Sequence, residues 1–179
     1  MPEEKKEPWL NYLALTTVMF AVCATLSTLK GGGFSTRSVM SQAQASDQWS
    51  YYQAKSIKEY IYDLQKEKLE LELKSLKSGA SRSVVAEYDK KIDYYGQMVK
   101  KYEEEKEQIK KKAEDLEKRR DDAQTHSSAF GFAAMFLQIA ILLSSIAALM
   151  KKRFFWLLGL AAGCFGLVYF LNGFLSFMK

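Results

Sequence analysis

The sequence predicts an all-α membrane protein with three transmembrane helices and a long antiparallel coiled-coil helical hairpin between the first and the second. Three observations carry that prediction. Residues 8–29, 127–150 and 154–178 contain no Asp, Glu, Lys or Arg. Residues 36–126 hold 19 Lys or Arg against 18 Asp or Glu. No proline follows Pro8, so nothing forbids very long helices. Segregation of charge on this scale excludes a soluble single-domain globule. The near-neutral middle also excludes a strongly basic nucleic-acid binder, because the formal +5 arises beside the apolar segments and bears on topology.

The first element is a tail, residues 1–8, followed by an apolar run from Trp9 to Leu29. A bilayer core of ~30 Å needs roughly 20 helical residues, and this run is long enough. It exceeds the 7–15 apolar residues of a signal peptide and contains Asn11, Thr16 and Thr17, so it reads as an uncleaved anchor. Ser127–Met150 and Phe154–Met178 supply the second and third spans. Only Lys151, Lys152 and Arg153 separate them, which forces a tight antiparallel pair.

That short basic loop determines the expected topology. It stays cytoplasmic, which places the N-terminus with Lys5 and Lys6 inside, and the charged middle outside. Lys30, Arg37 and Lys118–Arg120 flank the membrane on the outer side and oppose this reading. Long translocated segments obey the charge rule weakly, so the short loop decides.

Residues 30–35, with Gly31-Gly32-Gly33, read as a flexible linker. Residues 36–126 follow as the hairpin. One stripe runs Val85, Tyr88, Ile92, Tyr95, Val99, Tyr102, Lys106, Ile109, Ala113, Leu116, Arg120, Ala123 in three- and four-residue steps. The preceding arm offers Ser50, Ala54, Ile57, Ile61, Leu64, Lys68, Leu71 and Ser75, with a second line at Leu69, Leu73 and Leu76. The tip is placed at 77–82, where Gly79 suits a helix end and Ser81 or Ser83 an N-cap. The arms, 36–78 and 82–126, are nearly equal and each reach roughly 65–68 Å. Matching the stripes pairs residues whose numbers total about 159, setting Ile57 against Tyr102 and Leu64 against Tyr95. Trp49, Tyr51, Tyr52, Tyr60, Tyr62 and Tyr94 then lie partly off the seam and call for another surface, such as a neighbouring copy.

Residues 42–58, QAQASDQWSYYQAKSIK, and 137–157, LQIAILLSSIAALMKKRFFWL, resemble the bacterial family catalogued as domain of unknown function 4337. The order of segments matches over nearly the whole chain. The resemblance implies a bacterial membrane protein and brings no established activity or catalytic residue; the inner membrane is the expected location. The family often carries His-rich termini; Met1–Pro8 holds no histidine, so metal binding there is unsupported.

Candidate sites each carry a plain packing reading beside the functional one. Gln138, Thr16 and Thr17 are polar residues inside spans, suited to interhelical hydrogen bonds or a pathway. Gly159, Gly163 and Gly166 give the third span a small face for close packing. Asp47, Trp49, Tyr51, Tyr52, Lys55 and Tyr60 form the expected oligomer or partner surface. In it Asp47 is set to reach Lys118 or another chain, and Trp49 to wedge between the arms. Arg120 and His126 have the Arg-x5-His spacing of helical RNA-cleaving domains, with His as acid/base and Arg as phosphate clamp. Two residues in a basic coil at a membrane border are a weak match. A single histidine argues against a His-based metal site, and Cys23 and Cys164 lie within apolar runs rather than in a disulfide framework.

The expectation is a non-enzymatic protein without cofactor, nucleic acid or evident small-molecule substrate. It self-associates through spans and hairpin, offers the hairpin to a protein partner, and acts as a scaffold. A homo-oligomeric pore is the alternative, and an RNA-cleaving membrane effector using Arg120 and His126 the third reading.

Overall fold

A computed structural model describes residues 8–76, 81–175 and 177. The chain is all-helical in three elements: α1, Pro8–Leu76, α2, Arg82–Met150, and α3, Arg153–Leu175. All three contain a stretch long and apolar enough to cross a membrane. Pro8 opens α1, where its fixed φ suits the first turn and no N–H is required. Ser81 precedes α2, its carbonyl accepting from the N–H groups of Val84 and Val85. After α2, Lys151 takes a left-handed conformation with φ 49°, and the Lys152 N–H reaches back to the Ala147 carbonyl at 3.3 Å. That is a Schellman stop, formed here by lysine where glycine is usual.

The expected linker at 30–35 is helical and lies inside α1. Helix propagation adds one hydrogen bond for each residue fixed, so a growing helix can absorb three glycines. Gly31 also has a contact that glycine allows. A Cβ there would lie 3.1 Å from the Phe130 Cβ, and Ser127 Oγ donates to the Gly31 carbonyl at 3.1 Å.

The chain divides into two compact units, residues 1–40 with 119–179, and residues 41–118. In the first, the buried residues of α1 are Trp9, Leu13, Phe20, Ala24, Ser27, Gly31 and Ser38, spaced by three, four or seven. From Phe130 on, those of α2 follow the same rule: Phe130, Ala133, Leu137, Ala140, Ser144 and Ala147. In α3 every buried residue is glycine except Asn172. Small residues let helix backbones approach where lipid removes the hydrophobic drive for association. Phe20, Ala24, Leu137 and Ala140 form one core cluster, with Trp9, Leu13 and Ala147 a second.

In the second unit α2 turns the expected stripe inward: Tyr88, Ile92, Tyr95, Val99 and Tyr102 are half-buried, and Ile109 and Ala113 buried. The α1 stripe requires correction. Ile57, Ile61, Leu64 and Leu71 are exposed. The inward line is Ala45, Tyr52, Glu59, Lys66 and Leu73, joined by Trp49, Lys55, Tyr62 and Leu69. The α2 seam contains Glu105, Lys106 and tyrosines whose polar ends need partners, and this polar line of α1 supplies them.

Candidate functional site

The seam of the second unit is a ladder of charge and aromatic rings. Lys55 binds Glu105, and its ammonium lies 5.2 and 5.1 Å from the ring centroids of Tyr51 and Tyr102. Lys106 binds Glu59 and lies 5.7 Å from the Tyr52 ring centroid. Trp49 Nε1 donates to Glu117 at 2.9 Å, and the Tyr88 hydroxyl donates to Glu72 at 3.2 Å. Tyr62 packs on Tyr95 and Tyr102 at 5.8 and 5.6 Å between centroids. Hydrogen bonding to Glu105 raises the Lys55 pKa, and the same bond lowers that of Glu105. Lys106 is raised by its bond to Glu59. Burial is the leading cause of the upward shift at Tyr62.

This arrangement divides the expected surface. Trp49, Tyr52 and Lys55 lie in the contact between α1 and α2 and are half-buried. Tyr62, also assigned to an outside surface by its pattern, lies there too. Asp47, Tyr51 and Tyr60 are exposed. The expected tip falls partly at 77–80, outside the described residues; Ser81 and Arg82 are exposed.

Within the first unit, Thr16 Oγ1 donates to backbone carbonyls of its own helix and accepts from Trp156 Nε1 at 3.3 Å. Thr17 bonds its own helix at the Leu13 carbonyl. Gln138 is exposed on the outer side of α2. A Cβ on Gly159 would lie 3.1 Å from the Ala140 carbonyl oxygen, one on Gly166 would lie 2.7 Å from Leu137 Cγ, and one on Gly163 would overlap the Phe20 ring. Lys151, Lys152 and Arg153 are exposed, and Arg153 sits over the Trp9 ring, itself 6.1 Å from Trp156. Arg120 bonds Asp121, whereas His126 stacks on Phe34 at 4.7 Å and its Nδ1 lies 2.8 Å from the Gly173 carbonyl. A carbonyl only accepts, so Nδ1 carries the proton. Among the described residues, no group of three or more His, Cys, Asp or Glu can hold a metal ion.

The sequence reading missed Phe130. It is fully buried and packs on Phe34, Phe170 and Phe174, against Gly31 and Gly173. The signal was the glycine near the end of each neighbouring apolar run, Gly31 against the Phe130 Cβ and Gly173 against its ring.

No curated protein matches the chain, and no solved structure does. The family model described as a domain of unknown function (DUF4337) matches residues 9–176. That range takes in both strings that carry the resemblance, all three apolar segments and the charged middle, and the chain belongs to the DUF4337 family.

Proposed function

We propose that this chain is a non-enzymatic bacterial inner-membrane protein that associates with its own copies and serves as a scaffold or interaction module for another protein. One observation carries the reading: the most apolar heptad line of the charged region, Ile57, Ile61, Leu64 and Leu71, is exposed. Contiguous apolar surface of this kind marks an association site. In the proposed arrangement the arms of α1 and α2 form an antiparallel hairpin with its tip at 77–82. The order of contacts, from Trp49–Glu117 to Glu72–Tyr88, supports it. The spans cross the inner membrane with the N-terminus and the 151–153 loop cytoplasmic and the hairpin outside. The Arg153–Trp9 contact supports a common side for those two ends.

Mass measurement in lipid nanodiscs tests self-association; a dimer or larger assembly is expected, and a monomer at micromolar concentration refutes it. Orientation is tested with Gly79→Cys in a Cys23→Ser, Cys164→Ser background. An impermeant thiol reagent outside the cell labels it, and labelling only after permeabilisation reverses the topology.

The exposure of Gln138 favours a second reading, a pore made of several copies. Its amide gains a partner or a wet pathway between chains. Ion flux through liposomes that falls in Gln138→Leu supports that reading, and tight liposomes refute it.

A further inference from the structure

We infer that the outer stripe of α1 between Asp47 and Ser75 is a parallel, in-register coiled-coil surface for the same stripe of a second copy. The inference rests on the self-association reading and assigns its face, partner and register.

The steps between Ser50, Ala54, Ile57, Ile61, Leu64, Lys68, Leu71 and Ser75 alternate four and three, as heptad d and a positions do. The side chains are free to meet a partner: Ile57 is 61% exposed, Ile61 49%, Leu64 47% and Leu71 65%. Tyr51 and Tyr60 flank them, 50% and 65% exposed. Ordinary side-chain areas put this surface at roughly 700 Å² per copy, close to the ~800 Å² each partner contributes to a standard stable interface. Asp47 bounds the stripe at one end and Ser75 at the other.

The composition selects the partner. Ile61 occupies an a position, and Leu64 and Leu71 occupy d positions, the combination that favours two parallel strands, while Ile57 at d departs from it. A single lysine at a, Lys68, favours the in-register pairing, because a slip of one heptad sets it against Ile61 of one copy and Ser75 of the other and separates the two lysines from their shared carboxylates. In register, the flanking pairs between copies are Gln53 with Lys58, Tyr60 with Gln65, and Glu67 with Glu72. The like-charged Glu67–Glu72 pair brackets the Lys68 layer, and Lys68 already lies 3.9 Å from Glu72 of its own chain. The two ammonium groups therefore sit among four carboxylates. An antiparallel pairing that keeps a opposite d instead sets Lys68 against Ile57. Two chains inserted the same way in one bilayer also share a polarity, which agrees with parallel pairing.

The test uses the full chain in nanodiscs, in the Cys23→Ser, Cys164→Ser background. Ile61→Cys is expected to form a disulfide-linked dimer under mild oxidation at least tenfold faster than Gln97→Cys, an exposed α2 position. Leu64→Glu is expected to lower the dimer fraction at least tenfold while helix content is unchanged. An oligomer by mass whose Ile61→Cys chains cross-link no faster than Gln97→Cys overturns the inference and leaves self-association standing. Faster cross-linking between Ile61→Cys and Leu64→Cys chains than within either set overturns the parallel register. A monomer by mass overturns both readings.

Discussion

Three adjacent glycines in α1 should respond to alanine with opposite signs. Gly31, Gly32 and Gly33 are all helical, and among the described residues no glycine has positive φ. Alanine in a helix interior is worth about 1 kcal/mol over glycine. At Gly32 and Gly33 nothing lies within 4 Å of an added Cβ, so the full gain is expected at each, a factor of roughly five in the folding equilibrium. At Gly31 the added carbon meets the Phe130 Cβ at 3.1 Å, and Phe130 is fully buried with its ring against Phe34 and Phe174. A Cβ moves only with its backbone, so overpacking of about 1–3 kcal/mol offsets or exceeds the propensity gain. Reversible unfolding in mixed micelles, followed by circular dichroism, measures the three variants. Amide exchange over residues 28–36 should slow in Gly32→Ala and Gly33→Ala. Destabilisation by Gly32→Ala refutes the helical reading of this stretch and restores the flexible linker, whereas stabilisation at all three positions refutes the close contact of Gly31 with Phe130.

Other expectations follow from the same contacts. Glu105 has a lowered pKa, so its contribution to stability is present at neutral pH and is lost as pH falls below the ordinary carboxylate range; Lys55 is raised, so its contribution is lost only above the ordinary lysine range. Thermal midpoints from pH 3 to 11 should therefore fall at both ends, and Glu105→Gln should flatten the acid limb. Phe130→Ala removes a fully buried ring and should cost about 3–5 kcal/mol in the same unfolding assay. Lys151→Gly relieves a left-handed lysine and should stabilise by about 1 kcal/mol, while thiol labelling at position 79 checks that Lys152 and Arg153 still hold the topology.

The extent of each apolar segment was legible because charge stops so abruptly at its borders. The α2 stripe was legible for another reason: Tyr88, Ile92, Tyr95 and Ile109 stand out against Lys- and Glu-rich neighbours. In α1 the strongest apolar line faces outward, so choosing the seam by hydrophobicity selected the wrong face. The inward line at Tyr52, Glu59 and Lys66 becomes visible only against Glu105, Lys106 and Tyr102 on the other helix. The glycine run misled because glycine permits a break and also permits close approach; Phe130 makes the second use at Gly31. The face of Gly159, Gly163 and Gly166 was readable, but its neighbours Ala140, Phe20 and Leu137 were not.

The division between a polar seam inside the chain and an apolar stripe outside it has a physical rationale. The arms of one chain are covalently joined, so they meet at high effective concentration and need little apolar area to stay together. Paired groups such as Lys55–Glu105 and Lys106–Glu59 contribute register more than stability. In the proposed assembly separate copies have no such link and rely on buried apolar surface. If both surfaces were apolar, an arm of one chain could exchange with that of another, the route to domain swapping. Replacing Lys55, Glu59, Glu105 and Lys106 together by leucine should therefore leave helix content and the thermal midpoint near their original values. The oligomer mass in nanodiscs should change from one defined species to a spread of larger ones, and Ile61→Cys cross-linking should lose its preference over Gln97→Cys. A single oligomer of the original mass with the original cross-link would show that the ion pairs do not keep the arms of each chain together.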